Sequence, residues 1–311
     1  MNVHPYLRKL DNIDLIEHFL EIVINYDDSS NDEILNKIKS GEAELKNYID
    51  SKSTILSTEN RTRKYKNNVE RWKLRKKIVE ELLTLERLDD DDNTCLGLGG
   101  SLPKSQICNE KKAIIVIGLP ASGKSTIANE IADQYGAIIL DSDFAKRKIP
   151  EFSGNPAGAS LVHEESDFLV FGANLENIPS DFKCLFEECI RSDMNIVIPK
   201  IGHNEHKINK LSNALIKLNY EVHLVCVSLD RKLATQRAIN RFLKSDRYVP
   251  LSLIFDGYGN DCILTFYRLK DQIGIKDVAI KTFGKLSTNV PINHKPIILY
   301  ADNESPVNIF K

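Results

Sequence analysis

Gly118-Leu119-Pro120-Ala121-Ser122-Gly123-Lys124-Ser125-Thr126 is the stretch that decides the fold. It is a complete G-x-x-x-x-G-K-S phosphate loop. Residues 113–117 (AIIVI) precede it as a short continuous apolar run, the pattern of a strand buried on both faces. After it, Ile127, Ile131 and Tyr135 recur at helical spacing. Strand, glycine-rich loop and helix therefore come in the order a phosphate cradle needs. The glycines let successive N–H groups turn toward phosphate oxygens. The helix N-terminus adds its partial positive charge. In that frame residues 118–126 are expected to bind a nucleoside triphosphate, with Lys124 reaching the β- and γ-phosphates and the Ser125 hydroxyl holding Mg²⁺.

Outward from the loop, the pattern alternates. A second buried strand is expected over 136–140, a third over 195–198, a fourth over 221–228 (EVHLVCVS) and a late one over 296–301 (PIILYA). Helices are expected from near Ala159, over 181–191, over 204–218 and over 230–244. This alternation implies an α/β domain, a parallel sheet covered by helices on both faces, spanning residues 111–311.

Residues 1–88 read as an all-helical N-terminal domain that is nearly free of glycine and proline. Leu15, Phe19, Ile22 and Val23 form one stripe, and Ile34, Ile38, Leu45 and Ile49 a second. A longer third helix carries Val69, Trp72, Leu74, Ile78, Val79 and Leu82, with Arg71, Lys73, Arg75, Lys76 and Lys77 along it. That basic face is expected to be solvated, with docking onto a partner or onto the rest of the chain the sharper alternative. Residues 89–110 then read as an exposed link. It opens with four adjacent aspartates, Asp89 to Asp92, which repel one another. The run lacks the glycine and terminal glutamate of a calcium loop.

Composition narrows the partners. The net charge of −2 supplies no global pull toward membrane or long nucleic acid. No apolar run reaches spanning length and no signal-peptide core opens the chain, so the expected location is the cytoplasm. None of the six cysteines forms a C-x-x-C pair, so they read as reduced, mostly buried thiols.

The chemistry-bearing groups fall where strands end, which is where open α/β sheets bind ligands. Asp141 and Asp143 end the second strand. Asp143 is expected to orient or deprotonate an acceptor hydroxyl and Asp141 to support Mg²⁺ through water; the plainer alternative makes Asp143 the N-cap of a helix starting at Phe144. Arg237 and Arg241, four apart on one helix face, and Arg247 in the polar turn after it are expected to meet the charge of a transferring phosphoryl group. His163, Glu164 and Glu165 are weighed as substrate contacts. His203 and His206 lack a third ligand and do not read as a metal site.

GLPASGKST, LDSDFAKRKIPEF (140–152), VHEES (162–166), NIVIPKIG (195–202) and ATQRAINRFLKSDRYVP (234–250) together resemble the zeta toxin family of phosphate-loop kinases. The D-x-D-x-x-K-x-x-x-P run, Asp141 to Pro150 with Lys146 inside it, is the more specific part. The resemblance implies transfer of the γ-phosphate of ATP to a hydroxyl of a small molecule, UDP-N-acetylglucosamine in the family. It implies Lys124 as the loop lysine, Ser125 as the Mg²⁺ ligand, Asp143 as base, and Arg237 and Arg247 as phosphate-facing arginines, with Arg241 as an alternative. Well-studied members carry an acidic residue after the third strand, where this chain has Pro199-Lys200-Ile201-Gly202. The acid that helps hold acceptor or metal would then be Glu164, Glu165 or Asp141. Short family members are held inactive by a separate helical antitoxin, a task that residues 1–88 would perform within one chain. A chain starting near Thr94 is accordingly expected to stay soluble and active. Alternatives are a polynucleotide 5′-hydroxyl or nucleotide-cofactor kinase, and a nucleotide-gated binding module.

Overall fold

The computed structural model describes residues 7–48, 53–153, 158–173, 175–245, 248–272, 279–291 and 294–311. Arg247 and Ile49, both singled out in the sequence, lie outside them. In chain order, α1 (Ile13–His18) runs into a π-helical turn (Phe19–Val23), followed by α2 (Asp32–Tyr48) and α3 (Asn68–Thr84). Then come β1 (Lys112–Gly118), α4 (Lys124–Tyr135), β2 (Ile138–Ile139), α5 (Ser142–Lys148), α6 (Gly158–Leu161), α7 (His163–Phe171) and α8 (Leu185–Arg191). The remainder is β3 (Ile196–Lys200), α9 (Glu205–Lys217), β4 (Glu221–Ser228), α10 (Arg231–Ser245), α11 (Asp261–Asp271), β5 (Thr282–Ser287) and β6 (Ile297–Ala301).

The strands stand in the order β2-β3-β1-β4-β5-β6. β2 runs parallel to β3, and β4 parallel to β5. β6 joins antiparallel to β5, so the expected parallel sheet is mixed at this edge. β5 was not foreseen. Gly284 and Lys285 interrupt its apolar pattern, and each has a packing reason. A Cβ at Gly284 would lie 2.4 Å from Ser305 Oγ. Lys285 is buried and donates to the Tyr267 hydroxyl at 3.1 Å.

The chain divides into two compact units that interleave along the sequence. The first comprises Met1–Lys46, Ala113–Ile131 and Pro199–Lys311. Here Leu10, Ile16, Phe19, Leu20, Ile24, Ile34, Leu35 and Ile38 share one apolar core with Ile239, Phe242, Leu251 and Phe255. The buried stripe is thus Ile16, Phe19, Leu20 and Ile24, while Leu15 and Ile22, expected inside, are 43% and 63% exposed. The π turn resets the phase: Ile24 N–H bonds back five residues to the Phe19 carbonyl at 3.1 Å. Polar ties reinforce the seam. Arg8 grips Asp256 with two bonds of 2.6 and 2.8 Å. The Tyr248 hydroxyl donates to Glu42 at 2.5 Å.

The second unit comprises Asn47–Lys112 and Ala132–Ile198. Asn67 caps α3, its side chain accepting from Glu70 N–H at 2.9 Å. On the basic face of this helix Lys73 and Lys77 are exposed, as expected, but Arg71 and Arg75 are buried, at 0% and 4% exposure, because carboxylates of α7 and of the turn after α5 meet them. The aspartate run is also more than an open link. Asp90 caps a 3₁₀ turn over Asp91–Asn93, and Asp92 accepts from Arg147 at 2.6 Å. Beyond it Gly100 packs so closely that a Cβ would lie 2.0 Å from the Leu85 carbonyl oxygen. The six cysteines are free thiols, four of them buried. Among the described residues no helix is long and apolar enough to cross a membrane.

Candidate active site

In the first unit, β1 delivers its C-terminal end into the phosphate loop. Gly118 lies where a Cβ would approach the Val227 carbonyl oxygen to 2.7 Å, so only glycine fits. Its N–H donates to the Ile201 carbonyl at 3.1 Å. Pro199-Lys200-Ile201-Gly202 therefore backs the start of the loop, and Gly202, at φ +75°, would place a Cβ 2.5 Å from that of Ile117. Leu119 anchors the loop in an apolar cluster with Leu229, Ala234, Ala238, Ile254 and Cys262. Ala121 and Gly123 take left-handed backbone at φ +58° and +84°, the geometry that turns successive N–H groups into one concavity. Pro120 and Ala121 are half-buried and Ser122 is buried.

Lys124 opens α4, and its ammonium donates to the Leu119 carbonyl at 2.9 Å, across the loop. Ser125 and Thr126 are exposed in the first turn. A backbone concavity, a lysine lying over it and a helix N-terminus form a set that fits phosphates. The Ser125 hydroxyl is a hard oxygen donor of the type Mg²⁺ takes. Arg237 on α10 donates to the Thr288 carbonyl at 2.9 Å, and the Thr288 hydroxyl donates to the Ser122 carbonyl at 2.7 Å. One residue thus separates Arg237 from the loop. Arg241 is half-buried one turn further on; Arg247 lies outside the described residues.

In the second unit, α5 and α7 bring a polar cluster together. The helix begins at Ser142 rather than Phe144, and its cap is Asp141, which accepts from the Asp143 N–H at 2.9 Å. This corrects the capping alternative alone. The capping role considered for Asp143 belongs to Asp141, and the Asp143 carboxylate instead receives the Lys146 ammonium at 3.0 Å. Asp143 is 32% exposed and Lys146 14%. The Ser142 hydroxyl donates to Asp167 on α7. The His163 ring nitrogen stands 3.9 Å from Asp167. Burial first, then the charge of Lys146, hold the His163 pKa below that of free imidazole, against Asp167, Asp143 and Glu164. Glu164 is exposed.

Glu165, weighed as a substrate contact, is buried among protein donors. It is 1% exposed and accepts from Arg71, Arg75 and Thr54 at 2.5–2.7 Å. Burial would raise its pKa, but the hydrogen bonds and charges of Arg71, with Arg75 and Thr54, bring it down to about 2.

Sequence reasoning missed Thr288, which follows β5 and so went unseen with that strand. It also passed over Ser142 and Asp167, which acquire a role only when α5 meets α7. His203 packs against Tyr258, with ring centres 5.0 Å apart. Among the described residues no group of three or more His, Cys, Asp or Glu side chains could hold a metal.

Residues 101–303 match the family model for zeta toxin. No curated protein matches the chain. Among solved structures, one from the PezAT chromosomal toxin-antitoxin system of Streptococcus pneumoniae is similar at 13% identity and a TM-score of 0.49, covering 66% of this chain and 79% of its own. The AvrRxo1-ORF1:-ORF2 complex with ATP is similar at 15% identity and a TM-score of 0.45, covering 77% and 69%. A gluconokinase from Sinorhizobium meliloti 1021 is similar at 15% identity and a TM-score of 0.30, covering 59% and 86%. At these identities and scores the likenesses are remote.

Proposed function

The chain belongs to the zeta toxin family, and from that premise we propose that it is an ATP-dependent kinase acting on a hydroxyl of a small molecule, with a UDP-activated amino sugar such as UDP-N-acetylglucosamine as the leading acceptor. The observation that carries the reading is the Asp143 carboxylate. Asp141 takes the cap, which leaves Asp143 to pair with Lys146 at a partly exposed position. An acceptor hydroxyl needs to be aimed and to lose its proton as transfer completes, and a carboxylate so held suits both tasks.

On this proposal Lys124, aided by Arg237 and Arg247, stabilises the charge that spreads over the γ-oxygens. Residues 118–126 hold the triphosphate through backbone N–H groups. Ser125 would hold Mg²⁺, whose chemistry is neutralisation of phosphate charge. Arg241 and Lys146, with Glu164, are assigned to the acceptor side. The transfer breaks the bond from the γ-phosphorus to the bridging oxygen of ADP and forms one to the acceptor oxygen, whose proton passes to Asp143.

The proposal further places the kinase in the cytoplasm. It assigns control to a helical antitoxin or to residues 1–88, of which Leu10 to Ile38 also share an apolar core with Ile239 and Phe242 of α10. ADP release would be measured with UDP-N-acetylglucosamine, with a 5′-hydroxyl polynucleotide and with no acceptor. Release stimulated by the sugar nucleotide is the expected result. Stimulation by the polynucleotide alone moves the acceptor class, and equal release in all three makes the chain a nucleotide switch.

A further inference from the structure

The second unit contains a set of buried charges that phosphoryl chemistry does not use: Arg71 and Arg75 on α3, Glu165 on α7, and Glu151 in the 3₁₀ turn that follows α5. One Glu165 oxygen accepts from Arg71 Nε and Arg75 Nε, each at 2.7 Å. The other accepts from Arg71 Nη2 and from the Thr54 hydroxyl, each at 2.5 Å. The remaining Arg71 nitrogen, Nη1, donates to both Glu151 oxygens at 3.0 Å. A single guanidinium thus joins α7 to the turn that ends α5. Farther along α3, Glu81 receives the buried ammonium of Lys148, the last residue of α5, at 2.7 Å. That ammonium also donates to the Cys95 and Leu98 carbonyls at 3.0 and 3.3 Å.

Resting on the reading that α5 and α7 carry the acceptor groups, we propose that Arg71, Arg75 and Thr54 are positioning residues. Through Glu165 they hold α7 in the one register in which His163 and Asp167 meet Ser142, Asp143 and Lys146 of α5. Plain packing does not call for such a network, because well-packed apolar side chains commonly serve stability as well as a buried ion pair. What charges and hydrogen bonds add is direction. Four donors converge on two carboxylate oxygens, and a displaced helix would leave a buried charge unpaired. Phe168 packs α7 against Trp72 and Phe182 farther along, and Glu165 adds a directional tie in the first turn, between His163 and Asp167. The stretch of chain before the phosphate loop therefore shapes the acceptor side rather than merely preceding it.

The test uses the full-length chain and reads the His163 ring by NMR titration in wild type, Thr54→Val and Glu165→Gln. The ring is faced by Lys146 and Asp143 of α5 and by Glu164 and Asp167 of its own helix. When α7 shifts, burial and the influence of Lys146 decline, so the His163 pKa should rise toward that of free imidazole in both variants. In parallel, kcat/KM for UDP-N-acetylglucosamine should fall on the order of tenfold or more. The KM for ATP and acceptor-independent ATP hydrolysis should stay within about twofold of wild type. A His163 titration unmoved in a folded variant overturns the proposal, as does an equal loss of acceptor-dependent and acceptor-independent turnover. If Glu165→Gln does not fold, Thr54→Val decides alone, because it removes one neutral hydroxyl and strands no charge. If wild type leaves UDP-N-acetylglucosamine unphosphorylated, the acceptor assignment fails while the His163 titration still judges the positioning.

Discussion

Phe19→Ala should unseat the arginine-bearing helix from the segment that precedes it by more than two hundred residues in sequence. Phe19 is 1% exposed. Its ring stands edge-on to Phe255, with centroids 5.7 Å apart and planes at 87°. The Arg8 guanidinium lies 4.9 Å above it while gripping Asp256. Truncating a buried phenylalanine costs about 3–5 kcal/mol. Because an aromatic pair and a cation–π contact go with it, the upper part of that range applies, about 4–5 kcal/mol. At 1.4 kcal/mol per decade, a loss of about 4 kcal/mol raises local opening on the order of a thousandfold. Hydrogen exchange followed by mass spectrometry on peptides covering Ile239 and Phe242 of α10 reads this directly. Ile22→Ala is the internal control: at 63% exposure it should stay within about 0.5 kcal/mol of wild type. Exchange in α10 unchanged by Phe19→Ala, with a stability loss under about 1 kcal/mol, would refute the shared core. A chain starting near Thr94 would lack this half of the core. It would uncover Ile239, Phe242, Leu251 and Phe255 together, and we expect it to aggregate or lose α10 protection.

Lys124→Ala should keep the melting temperature and abolish turnover, since the lysine is half-buried at the start of α4 and donates to the loop's own Leu119 carbonyl rather than filling the core; retained turnover would sink the loop assignment. Arg237→Ala should lower kcat by more than it raises the KM for ATP, by several kcal/mol of transition-state stabilisation in order of magnitude; a normal kcat would make it an ordinary partner of Thr288. Asp143→Asn should leave folding and ATP affinity near normal, because the cap belongs to Asp141, while transfer drops on the order of a hundredfold. A melting temperature that falls with activity would contradict it. Glu165 has a folded pKa depressed to about 2, so its stabilising contribution is present above the ordinary carboxylate value of about 4.3 and is lost as pH falls toward 2. The stability gap between wild type and Glu165→Gln should therefore narrow across that acid window, and a gap independent of pH there would contradict the assignment.

The phosphate loop was legible because its chemistry is local: spacing, glycine and helix onset all lie within one short stretch. β4 was legible for a related reason, as a long unbroken apolar run, and it is observed over the residues expected, Glu221–Ser228. β5 was not, because a buried lysine and a glycine fitted against Ser305 do not look like strand interior. The basic face of α3 misled for a different reason. A charge reads as solvated until its partner is known, and Glu165 lies 94 residues from Arg71. The Asp141/Asp143 assignment turned on where a helix begins, and a shift from Phe144 to Ser142 moved the cap from one aspartate to the other. Thr288, Ser142 and Asp167 carry no signature of their own, since each takes its meaning from a contact that only folding makes.

The most direct measurement of the central claim is mass spectrometry of a metabolite extract incubated with the full-length chain, ATP and Mg²⁺, with the Lys124→Ala and Asp143→Asn chains run beside it. One hydroxyl-bearing metabolite should gain a single phosphoryl group, a UDP-amino sugar foremost, and neither variant should form it. ATP consumed with no phosphorylated small molecule formed, or the same product from Asp143→Asn at an undiminished rate, would contradict the claim.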